Sequence, residues 1–131
     1  MNIVLDTDVL IDLESRNKNV LDRINELARY TITPPIITFI TYFEFIFGLI
    51  KKSPAKKQKS IEFIENFEVL QTTKNTAKIL AELKHKYYKI GKPLPLADLL
   101  IASQTIENNM TLVTRNKHIK QIEELDTILI E

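Results

Sequence analysis

Five short strand-like stretches recur along this chain, at Ile3 to Leu5, near Ile36 to Phe39, Glu68 to Gln71, Met110 to Thr114, and around Ile128 to Ile130. The intervals between them carry apolar residues at helical spacing. Strands that alternate with helices pair in parallel through right-handed crossovers. The pattern therefore predicts an α/β fold: a three-layer α/β/α sandwich with a small, mainly parallel central sheet. At 131 residues one continuous core suffices, and a single domain spanning residues 1–131 is expected.

The helices follow in order. Val9, Leu10 and Leu13 mark a short one and Val20, Leu21, Ile24, Leu27 and Ala28 a longer one, with a break at Ser15 to Asn19. Pro34-Pro35 rules out a helix interior and reads as a loop entering the second strand. A helix from Thr41 to Ile50 is apolar on every face, which predicts burial on most sides or an oligomer interface. Pro54 suits the start of the next helix, which continues through Ile61, Phe63, Ile64 and Phe67. Ala77, Leu80, Ala81, Leu83 and Tyr87 predict the inner face of a long helix from about Thr73 or Asn75 to Ile90, capped by Gly91. Lys92-Pro93-Leu94-Pro95 then reads as a stiff linker into a helix beginning near Leu96.

Composition removes several classes of function. Lys and Arg total 18 against 17 Asp and Glu, a formal charge of +1, so overall charge argues for no particular partner. The chain lacks Cys, a basic-then-apolar leader and an apolar run of bilayer length, which leads us to expect a soluble cytoplasmic protein with no membrane partner. Its two glycines, Gly48 and Gly91, cannot make a glycine-rich phosphate loop. Phosphate, if handled, must be gripped by metal or side chains.

Three acids stand in apolar settings. Asp6 closes the first strand in Asp6-Thr7-Asp8, where it either caps the following helix or serves chemistry at the carboxyl edge of the sheet. Glu44 is the sole charge of its helix before Lys51, and Asp98 lies near a helix start among aliphatic residues. A buried carboxylate costs several kcal/mol unless it is paired or metal-bound; a salt bridge for Glu44 and a first-turn dipole contact for Asp98 are the structural alternatives. With His85 and His118 both expected at the surface, an all-oxygen site remains, suited to Mg²⁺ or Mn²⁺ rather than zinc. Thr114-Arg115-Asn116 forms a second polar cluster at a strand end.

The segments IVLDTDVLID, ITYFEFIFGL, AELKHKYYKIGKPLPLADLLIA and LVTRNKHI, in that order, make the chain similar to PIN-domain ribonucleases, and among them to the VapC-type toxins of toxin–antitoxin pairs. This resemblance implies that Asp6, Glu44 and Asp98 are the metal-binding and catalytic acids, with Thr7 and Thr114 as polar helpers. The family's fourth acidic position falls on Asn116, a neutral amide and a weaker ligand. Glu82 is a further candidate acid near the cleft. Also implied are metal-dependent endonucleolytic cleavage of RNA leaving 5′-phosphate and 3′-hydroxyl ends, a homodimer, and a cognate VapB-type antitoxin that occludes the site.

Arg115, Lys117, Lys51 and Lys52 are the candidates for RNA backbone contact. The five lysines between Lys51 and Lys59 read either as a solvated helix face or as a phosphate-binding rim. Two rival functions remain open from the residues. Asp6 and Asp8 after a strand also suit a haloacid-dehalogenase-type phosphatase, with Asp6 as nucleophile and Asp8 as general acid, whereas the nuclease reading leaves Asp8 peripheral. A PIN-like protein that binds RNA or a partner without turnover is the other, consistent with Asn116.

Overall fold

A computed structural model describes all residues, 1–131. Its strands are β1 (Ile3–Leu5), β2 (Ile37–Thr38), β3 (Val69–Leu70), β4 (Thr111–Thr114) and β5 (Asp126–Leu129). The helices are α1 (Thr7–Glu14), α2 (Lys18–Leu27), α3 (Phe39–Leu49), α4 (Pro54–Ile64), α5 (Lys74–Lys89) and α6 (Leu96–Glu107). One ladder runs β1-β4-β5 and a second pairs β2 with β3, all in parallel. A parallel bridge between Val4 and Ile36 joins the two, with Leu5 donating to the Ile36 carbonyl at 2.9 Å and Ile36 to that of Ile3 at 3.0 Å. The strands thus lie in the order β3-β2-β1-β4-β5, with every carboxyl end at one edge.

Period-two alternation sends neighbouring residues of one strand into opposite layers. Ile3, Leu5 and Val113 pack with Val9 and Leu10 of α1, Val20, Ile24 and Leu27 of α2, and Phe45, Leu49 and Ile64 of α3 and α4. Val4 and Leu112 face the other way, onto Leu83 and Tyr87 of α5 and Leu99, Ile101 and Ala102 of α6. The sandwich has the three layers expected from the sequence, and no helix is long and apolar enough to cross a membrane.

Three local expectations need correcting. The second strand stops at Thr38, because its side chain accepts from the Thr41 N–H at 3.2 Å and so caps α3, placing Phe39 in the helix. On α5 the inner stripe is Thr76, Ile79, Leu80, Leu83 and Tyr87, while Ala77 and Ala81 face solvent. Thr76 goes inward because its hydroxyl, with that of Thr73, reaches Glu107 of α6. Helix α4 ends at Ile64, before Phe67.

Gly91 does end α5. Its φ of +77° lies in the left-handed region, and Lys92 donates to the Tyr87 carbonyl while Gly91 donates to that of Tyr88, the paired bonds of a Schellman motif. An added Cβ would meet nothing within 4 Å. Gly91→Ala should therefore cost only the backbone term, about 1 kcal/mol, read as a lower urea midpoint with an unchanged slope.

Candidate active site

The carboxyl edge of the sheet collects the acids. Asp6 leaves β1 and caps α1, its Oδ1 accepting from the Thr7 N–H at 2.8 Å, so the capping role and a place at the edge coincide. Its Oδ2 accepts from the wholly buried Thr114 hydroxyl at the end of β4, at 2.6 Å. Thr7 turns the other way and donates to Glu44 Oε1 at 2.6 Å, with Thr41 Oγ1 3.1 Å off. Glu44 is thereby tied from α3 to the start of α1. Asn116, in the turn after β4, donates its side-chain N–H to Asp98 Oδ2 at 3.3 Å and its backbone N–H to Thr114 Oγ1 at 3.0 Å.

Electrostatics ties these acids together. Asp6 is 5% exposed, and burial, with smaller contributions from Asp8 and Asp98, raises its pKa to about 6 against the hydrogen bonds from Thr114 and Thr7. Burial also raises Asp98, and Glu44 and Asp8 push it further, while Asn116 and His118 act the other way. Asp8 is raised by burial too, although the Val9 N–H donates to it at 2.7 Å and the neighbouring Arg115 acts in the same lowering direction. No Lys or Arg pairs with Asp6, Glu44 or Asp98: the nearby Arg115 guanidinium is spent on Asp12 Oδ2 at 2.7 Å and the Glu131 carbonyl at 3.2 Å.

These contacts sort the sequence candidates. Asp6, Glu44, Asp98, Thr7, Thr114 and Asn116 share one edge. Glu82 does not: it is exposed on α5 beside Lys86 and Glu124, in a different groove. Arg115 is held in its ion pair, leaving Lys117, Lys51 and Lys52 exposed and unpaired. His85 and His118 are exposed as expected, though His118 lies near enough to act on Asp98. Asp8, left peripheral by the nuclease reading, belongs to the cluster because it acts on both Asp6 and Asp98. The signal was present in the sequence: Asp8 falls in the first turn of the helix that Asp6 caps.

In kind, the donors fit a hard divalent cation. All are oxygens, and their mutual repulsion is what such an ion relieves. They are not gathered around one point, since no three His, Cys, Asp or Glu side chains stand close enough together to hold a metal ion as placed.

The PIN domain family matches residues 3–125, nearly the whole chain. The chain belongs to the PIN-domain family. PIN domains are nucleases, which supports a hydrolase acting on nucleic acids. The phosphatase reading loses its support with this membership and with Glu44 joined to the site through Thr7. Among solved structures this PIN domain resembles a chain of VapBC2 from Rickettsia felis bound to a DNA fragment from their promoter, with 25% identity, a TM-score of 0.87 and all of both chains covered. It also resembles VapBC-1 from nontypeable Haemophilus influenzae, with 25% identity, a TM-score of 0.82 and 98% of each chain covered. DNA-bound VapBC from Salmonella typhimurium shares the fold at 21% identity and a TM-score of 0.83, over 100% of this chain and 99% of the other. No curated protein matches the sequence.

Thr114→Val tests how this PIN domain sets the charge of Asp6. Losing the hydroxyl removes a donor that favours the ionised carboxyl, so the Asp6 titration should move above 6. NMR titration of the Asp6 carboxyl carbon reads the shift, and an unmoved titration would contradict the assignment.

Proposed function

We propose that this chain is a metal-dependent endoribonuclease and the toxin of a VapBC-type toxin–antitoxin pair, working in the cytoplasm. The observation that carries the reading is the set of acids at the sheet edge, with Asp6 and Asp98 raised by burial and by neighbouring acids and no Lys or Arg paired with either. Membership in the PIN family and likeness to VapBC structures support it.

Asp6, Glu44 and Asp98 would hold Mg²⁺ or Mn²⁺. The ion supplies activation of a water and neutralisation of charge building on the phosphate. The side chains around it position the acids: Thr114 fixes the Asp6 rotamer, Thr7 restrains Glu44, and the Asn116 amide steadies Asp98. Asp8 adds negative charge beside Asp6 and so strengthens the pull on a cation. Lys117, one residue beyond Asn116, is free to meet a backbone phosphate of single-stranded or looped RNA. In-line attack by water on phosphorus then leaves 5′-phosphate and 3′-hydroxyl ends.

Phe39, Phe43, Phe47 and Ile50 line the outer face of α3, with Phe47 65% exposed and stacked on Phe43 at 5.9 Å. An apolar stripe of this kind serves a protein partner, either the antitoxin or a second copy in a homodimer.

Incubating a labelled, structured RNA with the purified protein and Mn²⁺, Mg²⁺ or EDTA tests the reading. Cleavage with either metal, none in EDTA, and 5′-phosphate ends are expected; cleavage indifferent to EDTA would overturn it. A second reading, an RNA- or partner-binding PIN domain without turnover, draws on the neutral Asn116 and on the acids' lack of a common point. It predicts binding with no cleavage under any divalent ion.

A further inference from the structure

We propose that the groove between the end of α1 and helix α4 is a phosphate-binding subsite for single-stranded RNA, remote from the acid edge; this rests on the ribonuclease reading above. The groove, about 620 Å³, is lined by Lys52 from the turn after α3, by Lys56, Lys59, Ser60 and Phe63 of α4, and by Glu14 at the end of α1. Three lysines and one glutamate thus line the groove.

Their arrangement is unlike a solvated helix face. None of the three lysines forms an ion pair, while the carboxylates of α4 and its flank are taken up elsewhere. Glu62 accepts from Gln58 at 3.1 Å, and Glu65 accepts from the Tyr42 hydroxyl at 2.6 Å. Lys56 and Lys59 are stacked one turn apart, a repulsive spacing for like charges, and Lys52 is brought in from a different segment. Ser60, 6% exposed, lines the groove with them and carries a hydroxyl. A polyanion supplies the missing charge, and phosphate oxygens accept from both ammonium and hydroxyl donors.

Location sets the register. Helices α1 and α3 start together at the acid edge, where Thr7 meets Thr41 and Glu44, and run side by side toward the groove. Ser15, which caps the end of α1 and also lines the groove, lies eight positions on from Thr7. At ~1.5 Å of rise per residue the groove lies about 12 Å from the acids. At ~3.4 Å per nucleotide of a stacked strand, that is roughly three or four nucleotides from the cut.

The test is RNA binding by the full chain in EDTA, where cleavage is absent, over a range of salt. Fluorescent single-stranded RNAs of about 12 and about 4 nucleotides serve as probes. The combined Lys52→Gln, Lys56→Gln, Lys59→Gln variant should bind the longer RNA at least about tenfold more weakly and lower its salt slope by about 2, at ~0.7 per phosphate contact, with the shorter RNA unaffected. Arginine at the same three positions should restore the slope. Lys74→Gln, Lys78→Gln, Lys89→Gln on α5 should change nothing. An unchanged slope in the groove variant, equal loss in the α5 variant, or loss of binding to a polyglutamate peptide but not to RNA would each overturn the proposal. Failure of the ribonuclease reading looks different: no cleavage under any metal, whatever the salt slope.

Discussion

Asp98→Asn should lower metal-dependent RNA cleavage by about a thousandfold or more, equivalent to about 4 kcal/mol of transition-state stabilisation. The change keeps the size of the side chain and a partner for Asn116 while removing the charge that would hold the cation. The fold should survive it. Asp98 lies in the first turn of α6 without capping it, so the helix gives up at most about 1 kcal/mol of dipole interaction, partly offset by the relief of repulsion from Glu44 and Asp8. Glu44→Gln should behave alike, and Glu82→Gln, remote from the edge, should cleave as the wild type does. Initial rates in Mn²⁺ beside unfolding curves decide the matter; an Asp98→Asn rate within tenfold of the wild type would remove Asp98 from the machinery.

Asp6 dominates the expected pH dependence. Its folded pKa of about 6 lies above its ordinary value of 3.8, so between those pH values the unfolded chain ionises first and stability falls as pH rises. The metal-free wild type should lose on the order of 3 kcal/mol across that window through this residue alone. Asp6→Asn should be spared: more stable than the wild type by that order at pH 8 and equal to it below pH about 4. Added Mn²⁺ should stabilise the wild type and leave Asp6→Asn unmoved, since only a ligand held by the folded state shifts the equilibrium. Thermal unfolding of both proteins at several pH values, with and without Mn²⁺, reads all of this. A wild type whose stability is flat from pH 4 to 8 would contradict the burial of an ionised Asp6.

Much of this was written in local sequence. Strand–helix alternation sufficed for the three layers, because parallel strands need crossovers and crossovers need helices to cover both faces. Asp6, Glu44 and Asp98 could be singled out one at a time, each a charge among apolar neighbours. Their meeting could not, since it depends on β1 ending and α3 and α6 beginning at one edge. The misplaced details share a cause. Ala77 and Ala81 fit a helical stripe as well as Thr76 and Ile79 do, and only the Glu107 carboxylate across in α6 draws Thr76 inward. Arg115 looked free because its partner Asp12 is 103 residues away in sequence. Asp8 looked redundant beside Asp6, whereas its charge acts on Asp98, from a helix at the far end of the chain.

The central claim is that these acids bind a divalent ion and that the bound ion is what makes the protein cut RNA. It is tested most directly by measuring Mn²⁺ binding and single-turnover RNA cleavage in the same samples across a Mn²⁺ titration, for the wild type and Asp98→Asn. The account predicts that cleavage rises in step with occupancy in the wild type and that both collapse in the variant. Cleavage that persists after chelation, or Mn²⁺ bound equally by both proteins, would contradict it.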